Sequence, residues 1–144
     1  MTGTWRVAAF VMVVLVVIPS IVAGQQVRAG VVTTVRGSAT VTRQAPSQPA
    51  PLRFKDDVFV QDRIVTGESA VAQILLGGKA VVTVREHSEL TITEVPGTAT
   101  VDLRSGRIAL AVLRHRMQPG DSVEIHTPHA VAGVRGTHTL PQAL

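Results

Sequence analysis

Three histidines, His126, His129 and His138, fall within thirteen residues near the end of the chain, with Asp121 and Glu124 just upstream. Imidazole and carboxylate are the groups that ligate zinc or iron, which makes this run a candidate metal site. Strand geometry works against it. Successive side chains of a strand alternate faces, so His126 and His129, an odd number apart, would point to opposite sides. Pro128 between them can break the strand and let the rings converge. The ordinary alternative is a set of solvated histidines at strand ends. Arg135 is the second candidate, lying between Gly133 and Gly136. Glycine permits close backbone approach, and a guanidinium fork matches a carboxylate. That carboxylate belongs either to a binding partner or to this chain, where it would lock the terminal turn.

Other constellations fall short of catalysis. No Gly-x-Ser-x-Gly elbow is present to strain a nucleophilic serine. Asp56 and Asp57 are adjacent, so on a strand they face apart and cannot share a proton. Gly77-Gly78 lacks the Lys and Ser/Thr continuation of a phosphate-binding loop. Arg114-His115-Arg116 is the densest basic patch and reads as a solvated loop, with anionic headgroups or glycans as its functional alternative. No enzymatic activity and no cofactor are expected.

The framework for these residues follows from composition and pattern. At 144 residues the chain fits one domain. It carries 14 Lys+Arg and 10 Asp+Glu, a net of +4, too sparse for the basic stripe that nucleic acid requires. The absence of cysteine excludes disulfides, thiolate catalysis and thiolate metal sites. Aromatics at 3% exclude stacking platforms, while 45% apolar residues suffice for a core.

Residues 1–24 differ from the rest. Arg6 precedes an apolar run from Val7 to Ile18, Pro19-Ser20 breaks it, and small residues follow to Gly24. About a dozen apolar residues at 1.5 Å each span about 18 Å, short of the roughly 30 Å hydrocarbon core. The pattern is that of a secretory signal peptide, with an uncleaved N-terminal membrane anchor through residues 7–22 as the alternative. Either way the remainder, 25–144, is expected outside the cytoplasm: periplasmic, extracellular, or anchored and facing outward.

From Val27 onward apolar residues alternate with polar ones between glycine turns, the signature of half-buried strands. Leu90 and Ile92 alternate with Glu89, Thr91 and Thr93, and Val123 and Ile125 with Ser122, Glu124 and His126. Ile108, Leu110 and Val112 form a third such set. Gly77-Gly78 between two apolar runs predicts a tight hairpin at the centre of the packing, apolar on both faces. Ala45–Pro51, with three prolines in seven residues, predicts a loop. The fold class is therefore all-β, a sandwich or a solenoid-like coil of short strands, preceded by the signal helix.

Taken in order, several segments resemble the FecR domain, the extracytoplasmic module of iron-dicitrate-type signalling regulators. They are Val35–Val41, Asp62–Ala70, Gln73–Gly78, Val101–Gly106 and, most specifically, Thr127–Thr137. The resemblance covers about residues 30–137 and implies a non-catalytic role in signalling or protein interaction within the cell envelope, with an envelope protein as partner. A structural scaffold component is the alternative function. Two departures bear on this. Only six residues precede the apolar run, so no cytosolic segment for holding a sigma factor is expected. Residues 138–144 contain Pro141 where the family pattern continues into another strand, which predicts an unpaired terminal edge open to self-association.

Overall fold

The computed structural model describes residues 25–95 and 98–136. These form twelve strands: β1 (Arg28–Arg36), β2 (Ala39–Thr42), β3 (Pro49–Pro51), β4 (Asp57–Phe59), β5 (Arg63–Thr66), β6 (Val71–Leu76), β7 (Ala80–Val84), β8 (Glu89–Val95), β9 (Thr98–Ser105), β10 (Ile108–Val112), β11 (Ser122–His126) and β12 (Val131–Arg135). One turn of 3₁₀ helix, Arg114–Arg116, follows β10. The predicted signal helix lies outside the described residues.

The strands make two sheets, one ordered β10-β7-β6-β1-β4 and the other β12-β11-β9-β8-β5-β2-β3. The central strands turn one side of their period-two pattern inward, whereas β3 and β12, at the two ends of the second sheet, bury no residue. Val32, Val58, Ile74, Leu76, Val82 and Val84 from the first sheet meet Val41, Ile64, Leu90, Ile92 and Val101 from the second in one apolar cluster. The fold is thus a sandwich. A trace of the coil survives at one place, where the chain leaves β9, crosses to the first sheet as β10, and returns as β11 parallel to β9. Such a full circuit is what a parallel neighbour requires, whereas a short turn yields an antiparallel one.

The glycine hairpin forms as the sequence predicts. Gly77 and Gly78 both take positive φ, +55° and +69°, and the Lys79 amide donates to the Leu76 carbonyl at 2.9 Å. Its packing differs from expectation. Ala72, Ile74, Leu76, Ala80, Val82 and Val84 are buried, but Val71, Gln73, Leu75, Val81 and Thr83 are only half-buried. A two-layer sandwich covers one face of each sheet, so an apolar outer face gains no second layer.

The proline-rich segment is also corrected. Pro49–Pro51 is an edge strand paired antiparallel to β2, not a loop. The Leu52 amide donates to the Ala39 carbonyl, which sets the alternation so that only Ala50 must bond inward within β3. Both proline nitrogens face away from the sheet, the position an edge strand tolerates.

Candidate functional site

The chemistry-bearing residues of the C-terminal half gather on the outer face of the second sheet, around the β11–β12 hairpin. β11 holds parallel register with β9 on one side, from Ser122↔Thr98 to His126↔Asp102. On the other it pairs antiparallel with β12, from Ser122↔Arg135 to His126↔Val131. Val123 is buried and Ile125 packs on the core. Ser122, Glu124 and His126 consequently face outward, as their alternation predicts.

His126 lies between two carboxylates. Its Nε2 is 3.0 Å from Glu124 Oε2, two residues back on the same face. Its Nδ1 is 3.5 Å from Oδ1 of Asp102, its register partner on β9. The second oxygen of Asp102 accepts a hydrogen bond from the Thr93 hydroxyl at 2.9 Å. His129 does not join this group. It occupies the exposed turn from Thr127 to Ala130, closed by the Thr127 hydroxyl, which accepts the Ala130 amide at 3.0 Å. Pro128 does interrupt the strand, but it does so by opening a hairpin. His138 lies outside the described residues. Among the described residues, no three His, Cys, Asp or Glu side chains gather with metal-holding geometry.

Arg135 ends β12 opposite Ser122 and is exposed. With Thr98, Asp121, Ser122 and Glu124 it lines a polar cleft of about 320 Å³. Both carboxylates there are engaged elsewhere. Glu124 contacts His126, and Asp121 bonds Lys79 Nζ at 2.8 Å while accepting the Gln118 amide at 2.7 Å. The Lys79 ammonium first, and then the Gln118 N–H, hold the Asp121 carboxyl below its usual range. Arg135 has no ion pair among the described residues. The internal carboxylate that would lock the terminal turn is therefore absent from this set.

Two features were not legible in the pattern. The Lys79–Asp121 pair joins the glycine turn to the start of β11 across a long stretch of sequence, and nothing local marks it. Asp62 is fully buried at the end of the β4–β5 turn, where it accepts the Phe59 amide at 2.9 Å. Arg43 reaches it at 3.8 Å while lying 4.9 Å over the Phe59 ring. Burial pushes the Asp62 carboxyl up, opposed by the Phe59 amide and Arg43. The polar turn before an apolar strand was its only signal. Asp56 and Asp57 do face apart, Asp56 accepting the Arg53 amide and Asp57 pairing with Arg28 at 2.7 Å. Arg114, His115 and Arg116 are exposed on the 3₁₀ turn.

Architecture and site together define an all-β sandwich with a polar group of side chains on the hairpin that ends its second sheet. The sequence model of a family described as "FecR protein" matches residues 62–143, more than half of the 144-residue chain and every strand from β5 to β12. The chain belongs to the FecR family. A solved structure described as "Cell surface anchoring domain" is similar at 26% identity and a TM-score of 0.43, covering 46% of this chain and 86% of that one. No curated protein matches the chain.

Proposed function

We propose that this chain is a non-catalytic, exported FecR-family domain that works by protein interaction or signal sensing in the cell envelope. The observation that carries the reading is the family match, which takes in both strands of the β11–β12 hairpin and the β9 strand beside it. Residues 1–24 supply the export signal, and the domain acts on the outer side of the cytoplasmic membrane. Its working parts are an exposed strand edge and charged turns on a rigid apolar core, means suited to binding another backbone. On the outer sheet face the polar groups of the described residues are hydrogen-bonded to one another or open to water, Thr93 to Asp102 and Ser122 to Thr98.

Affinity capture with the full chain, expressed with its leader in an export-competent bacterium and crosslinked before lysis, tests this. An envelope protein should be recovered in stoichiometric yield, and purified chain should leave generic ester, phosphate and peptide substrates intact. Turnover of any of these, or recovery of cytosolic proteins alone, overturns the reading.

A further inference from the structure

The two edge bonds that frame β12 reveal which way its backbone groups point. The Gly136 amide donates to the Asp121 carbonyl at 2.8 Å, and the Thr127 amide to the Ala130 carbonyl at 2.8 Å. In an antiparallel ladder the bonding direction alternates residue by residue. With the register of β11 and β12, Ala132 and Val134 direct their N–H and C=O groups toward β11. Val131, Gly133 and Arg135 direct theirs away from the sheet, along an edge that no strand covers among the described residues.

The same three residues share the outer sheet face, because their register partners are His126, Glu124 and Ser122. Val131 is 67% exposed, Gly133 carries no side chain, and Arg135 has no ion pair among the described residues. Among the described residues this edge thus presents an apolar side chain, a gap and a cation without an ion pair, with three unpaired donor–acceptor sets in step with them.

We propose that β12 receives an extended segment of another protein by strand addition, and that Arg135 selects a segment bearing Asp or Glu opposite it. This rests on the interaction reading above and names its partner chemistry. An acidic side chain opposite Arg135 and an apolar one opposite Val131 stand four residues apart on the added strand, both on the outer face. Charge decides among occupants. Residues 131–135 contain no Asp or Glu, so pairing β12 with the β12 of a second copy sets Arg135 against an apolar residue, glycine or another arginine, and Asp57, the acid of the edge strand β4, is already held by Arg28. Residues 137–144 contain no Asp or Glu side chain either. The neighbouring Asp121 and Glu124 are already held by Lys79 and His126.

The test is a random seven-residue peptide library displayed on phage and panned in parallel on the full-length chain and on Arg135→Glu. Segments enriched on the wild type should carry Asp or Glu at one register position and an apolar residue four positions away. A synthetic copy of the best segment should bind Arg135→Gln about two- to fivefold more weakly, the scale of an exposed ion pair, and Arg135→Glu more weakly still. Replacing its acid by Lys should restore binding to Arg135→Glu. Hydrogen exchange supplies a readout that simple charge attraction does not move. The amides of Val131, Gly133 and Arg135 should become protected on binding, while those of Ala132 and Val134, bonded to β11, should be protected beforehand. Enrichment without acids, equal binding to Arg135→Glu, or protection elsewhere overturns the proposal. Concentration-dependent protection of the same three amides without peptide overturns it in favour of a second copy. Envelope capture that survives Arg135→Glu leaves the interaction reading standing and removes the edge proposal. Failure of the wild-type chain to capture an envelope protein, with the peptide results intact, removes the envelope-interaction reading and leaves the edge proposal standing.

Discussion

Two hairpins of this molecule have ladders of equal length and opposite fates. The β6–β7 hairpin and the β11–β12 hairpin each pair five residues of one strand with five of the other. Their backbone hydrogen bonds, worth about 1 kcal/mol net apiece, are comparable. The inward side chains of the first are all but inaccessible, and β1 and β10 flank it on both sides. The second has β9 on one side only, and Val131 at its outer strand is 67% exposed. Burial at about 1.5–3 kcal/mol per aliphatic side chain therefore separates them, not hydrogen bonding. The first hairpin is scaffold, and among the described residues the second leaves the outward backbone groups of β12 without a neighbouring strand. Lys79, in the turn of the first, reaches Asp121 at the foot of the second and couples them.

The largest contrast should come from truncating one apolar side chain in each. Ile74→Ala opens a cavity in the shared core and should cost about 3 kcal/mol by urea denaturation. Val131→Ala should stay within about 0.5 kcal/mol, as surface changes do. If the two losses come out equal, burial does not distinguish the hairpins.

Next in size are the turns. Gly77→Ala places a side chain at φ +55° and should cost about 1 kcal/mol of global stability. Thr127→Ala removes the hydroxyl that accepts the Ala130 amide, and it should raise amide exchange in β12 without moving the global transition. A global loss from Thr127→Ala as large as that from Gly77→Ala would show the terminal hairpin to be part of the cooperative unit.

The smallest effect expected is one of pH. Because the Asp121 carboxyl is held below its ordinary value of 3.8, the folded state binds its proton less readily than the unfolded one. The stability it contributes is complete above that ordinary value and is lost as pH falls through the lower folded value. Thermal melts from pH 6 to pH 2 should therefore show a shallower acid loss in Asp121→Asn than in the wild type. At neutral pH the same variant should loosen β11–β12 exchange and leave β6–β7 unchanged. Identical acid slopes would show that the Lys79 link does not couple the two regions.

Local pattern carried far in this chain because strands read out in period two. Leu90, Ile92, Val101 and Val123 are buried where their alternation places them, and Gly77-Gly78 closes the hairpin it predicts. The site was legible only in part. The outward placement of Glu124 and His126 follows from alternation, but the approach of Asp102 to His126 depends on β9 and β11 being parallel neighbours. Pro49–Pro51 shows the converse limit. Proline chemistry forbids a central strand, yet it leaves an edge strand open when the missing donors face outward.

Residue type and spacing alone were enough to specify strands, turns and inward faces, since each depends on neighbours a few positions away. Sheet order, the exposure of β12, the engagement of Asp121 by Lys79 and the lack of an ion pair to Arg135 among the described residues required the folded chain. Those are contacts between residues far apart in sequence, and their formation depends on which surfaces the shared core brings together.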